Sequence, residues 1–146
     1  MNLSSEKKAE LRVKHLELIQ AVIARLANQN AVLKNYCITV VTAVCGFAVS
    51  LQHPIIALLS ILPIITFAVL DARYLATERR FRALFNRVRE EGWDTMPSFE
   101  LEQVHIPAAD FCNVLLSWSV IEFYFSLLVA GILVFVALGV INGRFI

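Results

Sequence analysis

Residues 36–70 contain no lysine, arginine, aspartate or glutamate. A water-facing surface is excluded for so long a stretch, because soluble domains carry about 25% charged residues spread along the chain. Glycine and proline are scarce, at 5 and 4 in 146 residues, so no flexible linker separates two bodies and a single domain is expected. Only 3 cysteines occur. Their odd number argues against a disulfide framework, and Cys37, Cys45 and Cys112, inside or beside apolar stretches, read as small buried hydrophobes. The 3 histidines, His15, His53 and His105, lie far apart with no cysteine or carboxylate at ligand spacing, so neither a metal nor another cofactor is expected.

Also missing are the nucleophile elbow, the HExxH zinc motif, the Walker loop and the GxGxxG turn. Ser50, Ser60 and Thr66 have no base beside them in the apolar segments. Enzymatic function is the class least expected. Residues 1–8 lack the apolar run and cleavage site of a secretory signal, so the first helix is expected to be retained.

What is present points to a bilayer. The chain is 58% apolar and 17% charged with a mean hydropathy of +0.68, the balance of a small integral membrane protein. The expected architecture is all-α: an N-terminal amphipathic helix, a short transmembrane hairpin continuing into a basic cytoplasmic helix, and a C-terminal transmembrane helix.

Over residues 4–34, Ser4 or Ser5 caps a helix whose first turn is favoured by Glu6 and Glu10. Leu16, Ile19, Ile23, Leu26, Asn30 and Leu33 recur along it at steps of three and four. Two arrangements fit this stripe. It is either the seam of an oligomer, with Asn30 pairing amide to amide across it, or the inner face of an amphipathic helix packed on its own bundle or at the headgroup surface.

Residues 36–51 and 55–70 read as the two arms of a hairpin, each about 24 Å long as a helix. The hydrocarbon core is about 30 Å thick. Lys34 and Arg73 are therefore expected to snorkel to one interface, with the turn at Gln52-His53-Pro54 in the other. Pro54 suits the first turn of the second arm. Thr42, Gly46 and Ser50 form a small-residue stripe for close helix packing, against Ala57, Ser60 and Ala68 or against a second copy. Pro63 removes a donor and crowds the Leu59 carbonyl, which predicts a kink.

Residues 71–91 continue the second arm as a basic helix carrying Arg73, Arg79, Arg80, Arg82, Arg87 and Arg89. Tyr74, Leu75, Phe81, Leu84, Phe85 and Val88 recur at helical spacing, Glu78 is placed to pair with Arg82, and Gly92 is expected to end the helix. Residues 93–110 form an acidic loop broken by Pro97 and Pro107, with Phe99-Glu100-Leu101-Glu102 alternating like a short extended piece. Its acids, together with Glu90 and Glu91, are placed to fold back on the arginines. Residues 111–141 are too long for one perpendicular crossing, so an interfacial helix at about 108–119, with Trp118 near the headgroups, and a span at about 120–141 are expected. Glu122 then either pairs at the cytoplasmic face or lines a wet cavity.

Charge sets the orientation. Residues up to Lys34 and residues 71–110 hold twelve of the 13 lysines and arginines, and Arg144 alone lies on the other side. The positive-inside rule puts the N-terminus and residues 71–110 in the cytoplasm and the C-terminus outside. Three uses fit the arginine helix: charge paired with the acidic segment, attraction to anionic headgroups, or a site for a phosphorylated ligand or nucleic acid. Nucleic acid is the weakest of these expectations.

The run Asp71-Ala72-Arg73-Tyr74-Leu75-Ala76-Thr77-Glu78-Arg79-Arg80-Phe81-Arg82, after a short apolar hairpin and a helix containing Lys14-His15-Leu16-Glu17-Leu18-Ile19-Gln20, resembles small bacterial inner-membrane proteins. The arrangement is also broadly similar to the two-helix transmembrane effector domains of bacterial conflict and antiphage systems, the SLATT-like group. The likeness covers about residues 14–89, and the apolar stretch from Phe111 onward departs from the two-helix layout. It implies a homo-oligomeric inner-membrane effector that perturbs or permeabilises the bilayer when a cytoplasmic protein or nucleotide signal arrives. The alternative expectation is a non-conducting membrane anchor that recruits a soluble partner through the basic helix.

Overall fold

The computed structural model describes residues 4–93, 95–99, 101 and 108–143, and among them every regular element is an α-helix, with no strand. Helix α1 runs unbroken over Ser5–Ser50. Ser4 caps it with an extended backbone, its Oγ accepting the Lys7 N–H at 3.4 Å. The expected division into an amphipathic helix at 4–34 and a separate span at 36–51 does not occur. Neither proline nor glycine lies between Ser5 and Cys45, and Lys34-Asn35, though polar, leave the hydrogen-bond ladder intact. At 1.5 Å per residue α1 is about 69 Å long, more than twice a bilayer's hydrocarbon thickness.

Leu51, Gln52 and His53 turn the chain, with Gln52 at φ 55° and its amide donating to the Val49 carbonyl at 3.2 Å. The returning arm is two helices, α2 (Pro54–Leu58) and α3 (Ile61–Glu90). They are separated at Leu59-Ser60. Pro63 is thus in the first turn of α3 rather than inside a continuous span, and the break falls at the Leu59 carbonyl that its ring crowds. The Ala57 carbonyl accepts both the Ser60 N–H at 3.2 Å and the Ser60 hydroxyl at 2.7 Å, which tightens the turn there.

Helix α3 runs back along α1, and the antiparallel pair has two different cores. Towards the ends remote from the turn, in a charged arm, Ile19 packs with Phe81, Leu84 and Val88, flanked by Leu16, Ile23, Leu26 and Phe85. Nearer the turn, Cys37, Val41 and Ile64 pack with Val120 and Tyr124 of α5 (Trp118–Ile141). At the turn itself Ala48, Ala57 and Leu138 close the core, and the Asn142 amide donates to the Gln52 carbonyl at 2.6 Å. Helix α5 therefore runs parallel to α1, completing a three-helix apolar bundle. A Cβ on Gly131 would sit 2.8 Å from Ser60 Oγ, so the missing side chain lets α5 close onto the α2–α3 break.

The short helix α4 (Ala108–Leu115) lays Phe111, Val114 and Leu115 on Ala72, Leu75 and Ala76 of α3. The break between α4 and α5 comes at Leu116-Ser117, so Trp118, 80% exposed, opens the span instead of closing the interfacial helix. Helix α3 ends by a different device from the one expected. Gly92 does not take a left-handed conformation; Glu91 turns extended at ψ 151°, and Arg12 binds the freed Val88 carbonyl. Phe99, at φ 55°, is not extended, while Asp94, Glu100, residues 102–107 and Arg144 lie outside the described residues. Three segments, α1, α2 with α3, and α5, are long and apolar enough to cross a membrane.

Candidate functional site

Between the charged arm and the apolar bundle, three helices meet around one buried carboxylate. Asp71 of α3 is 2% exposed, and Lys34 Nζ of α1 lies 3.7 Å from its Oδ2. The same ammonium donates to Ser119 Oγ at 3.1 Å and stands 5.3 Å from the centre of the Phe123 ring, both on α5. Tyr124, the next residue, donates its hydroxyl to the Phe67 carbonyl at 3.2 Å, one turn before Asp71. Asp71 Oδ2 accepts no hydrogen bond, and the groups that stabilise the carboxylate are the Lys34 ammonium and the Tyr124 hydroxyl. A buried carboxylate in that position depends on its cation, because desolvation costs several kcal/mol unless a partner offsets it.

Antiparallel geometry brings the pair together. Lys34 lies eighteen residues before Gln52, and Asp71 eighteen after His53, so both arrive at the same height. That symmetry was legible in the sequence: a lysine before and an aspartate after an uncharged hairpin, equidistant from its turn. Snorkelling alone accounts for the lysine, and nothing local marks the aspartate as buried.

A second buried charge lies at the far end of the arm. Arg12, fully buried, donates from Nη1 to the Val88 carbonyl at 3.2 Å and from Nη2 to the Thr95 carbonyl and hydroxyl at 3.2 and 2.8 Å. Glu91 Oε2 stands 3.6 Å away. One turn on, His15 is buried against the Phe99 ring at 5.2 Å between centroids. The guanidinium thus ties α1 to the end of α3 and to the segment after it, where a cation suits the helix dipole.

The stripe Leu16, Ile19, Ile23 and Leu26 is occupied by α3 of the same chain, so it packs the arm rather than presenting an open seam to a second copy. Asn30 is half-buried with Oδ1 unpartnered, and Leu33 is half-buried. Thr42, Gly46 and Ser50 are exposed and face away from the bundle core; a Cβ on Gly46 would meet nothing within 4 Å. Arg73, Arg79, Arg87 and Arg89 are exposed and Arg80 half-buried, while Arg82 grips the buried Glu78 at 2.7 and 2.8 Å. Among the described residues, the acid that pairs beyond α3 is Glu91, which goes to Arg12 rather than to an arginine of α3. Glu122 is exposed beside Trp118, Ser119, Phe123 and Ser126. No cluster of three potential metal ligands occurs among the described residues.

Comparison with protein-family models, curated proteins and solved structures yields no match for this chain. What the geometry provides is a charge-paired collar at the point where two long helices pass from a polar environment to an apolar one.

Proposed function

We propose that the chain is a multi-pass membrane effector of the bacterial inner membrane, acting in a defence or abortive-infection system. A signal received by the cytoplasmic arm changes packing in the bilayer and opens a leak between copies of the chain. The observation that carries this reading is the continuity of α1 from Ser5 to Ser50, which joins arm and bundle without a joint. Cys37, Val41, Ile64, Ala48, Ala57 and Leu138 fill the bundle with apolar side chains and leave no polar passage among the described residues of one copy, so a conducting path is assigned between copies. Thr42, Gly46 and Ser50, small and exposed, supply the surface for that contact.

The test is membrane potential after induction in cells. The wild type collapses it; Gly46→Leu, whose Cβ would meet nothing within 4 Å in its own copy, preserves it while reaching the membrane in equal amount. An unchanged potential on wild-type induction would end the effector reading. The exposed Arg79, Arg87 and Arg89 favour a second one, a non-conducting anchor that recruits an acidic partner. Replacing those three by alanine separates the readings, since loss of recruitment with the potential intact belongs to the anchor. Arg82 is left out because its removal would strand buried Glu78.

A further inference from the structure

We propose that the groove between α3 and α5 is a seat for one acyl chain of an anionic phospholipid, with the lipid's phosphate on Arg73. The inference rests on the reading that these helices cross a membrane. Ile65, Ala68 and Val69 form one wall, Ile121, Phe125 and Leu128 the other, and Leu115 of α4 also lines the groove. The lining is apolar, which excludes ordered water, since a buried water needs two or more polar partners. The volume, ≈ 290 Å³, is below the roughly 300–1,000 Å³ of pockets that enclose a whole small ligand. One chain fits it better than a complete lipid.

Charge identifies the rest of the occupant. Arg73 follows Val69 by one helical turn on the same side of α3 and follows Asp71 by two residues, so it stands just beyond the collar at headgroup height. It is exposed, and no ion pair engages it among the described residues. A planar guanidinium one helical turn beyond a lining residue of an acyl groove, Val69, matches a phosphodiester. Exposed Trp118, at the start of α5, suits the same interfacial level. A second copy is the less suitable occupant, because the exposed small-residue stripe that permits close helix approach is on α1.

The experiment begins with carbonate-washed membranes: a chain that washes off would refute the membrane reading itself, separately from the seat. Protein reconstituted in equimolar phosphatidylglycerol and phosphatidylcholine is then extracted in mild detergent, and retained lipid is counted per chain by native mass spectrometry. The wild type should keep one phosphatidylglycerol. Ile121→Trp, at a partly exposed groove position that tolerates bulk, should lose both lipids, whereas Arg73→Gln should keep a lipid but lower the preference for phosphatidylglycerol about fivefold, the effect of one surface cation. Arg25→Gln, exposed on α1, should change nothing. Full retention by Ile121→Trp, an unchanged preference in Arg73→Gln, or an equal drop in Arg25→Gln would each overturn the proposal. Helicity of every variant is checked by circular dichroism, and Ala68→Phe, filling the groove from the α3 wall, repeats the test if Ile121→Trp loses its fold.

Discussion

The arm and the bundle are built from the same two helices yet hold their buried charges in opposite ways. In the arm, Arg12 is distributed over two backbone carbonyls, a hydroxyl and a carboxylate. In the collar, Asp71 has a single cation at 3.7 Å and no hydrogen bond on Oδ2. The first arrangement survives the loss of any one contact. The second depends on one cation with only the Tyr124 hydroxyl beside it, and it occupies the level at which the two environments of the protein meet. The packing differs in kind as well. Ile19, Phe81, Leu84 and Val88 gain from leaving water, about 1.5–3 kcal/mol for each large side chain, whereas Ala48, Ala57 and Gly131, if surrounded by lipid, gain mainly from close fit.

Breaking the collar should give the largest effect. Lys34→Met leaves Asp71 uncompensated and is expected to destabilise the protein by about 3–5 kcal/mol, and Lys34→Met with Asp71→Leu should recover most of that loss. Unfolding in detergent micelles for the two single variants and the pair completes the double-mutant cycle; a pair as unstable as the single variant would show that the ion pair is not the determinant. At the other buried charge, Arg12→Met strands the Val88 carbonyl and should cost about 1–3 kcal/mol. Its readout is local, as faster hydrogen exchange at the end of α3 with the bundle unaffected. Exchange rising equally in α5 would erase the contrast between the regions.

Close fit in the bundle is tested by Gly131→Ala, whose new methyl would lie 2.8 Å from Ser60 Oγ. A loss of about 1–3 kcal/mol is expected from overpacking. Ser60→Ala in the same chain should relieve it, because the next atom, Ser60 Cβ, is 4.0 Å away. The smallest stability effect belongs to Gly46→Leu, within about 0.5 kcal/mol, as befits an exposed position. Its consequence should appear instead in cross-linking between copies in membranes. Unfolding measured beside cross-linking distinguishes a packing surface from a core position.

Hydropathy made the three apolar segments and the all-α class legible, because a stretch such as residues 36–70 has no soluble alternative. The boundaries were harder. Lys34-Asn35 looks like a frontier in polarity, yet polarity alone does not end a helix, and α1 passes straight through it. Gly92 marks where α3 stops but not how: Glu91 turns extended, and the Val88 carbonyl is bound by Arg12 of the opposite helix, a contact seventy-six residues away that no local pattern encodes. The stripe from Leu16 to Leu26 was legible as a buried face but not in its partner, since Phe81 and Leu84 satisfy it as well as a second copy would. The burial of Asp71 is not legible locally, because a charge at the end of an apolar run ordinarily faces solvent; only pairing it with Lys34 across the turn reveals it.

The unbroken course of α1 also has a mechanical side. The portion beyond the collar, about thirty residues, is a rod of roughly 45 Å. Pivoting by about 10° at Lys34 would carry its tip some 8 Å sideways, while the side facing the turn, roughly half as long, would swing about 4 Å the other way. Under the proposed function, a helix without a joint would act as a lever with its fulcrum at the ion pair, its unequal arms reducing a broad motion at one end to a short, stiff displacement at the other.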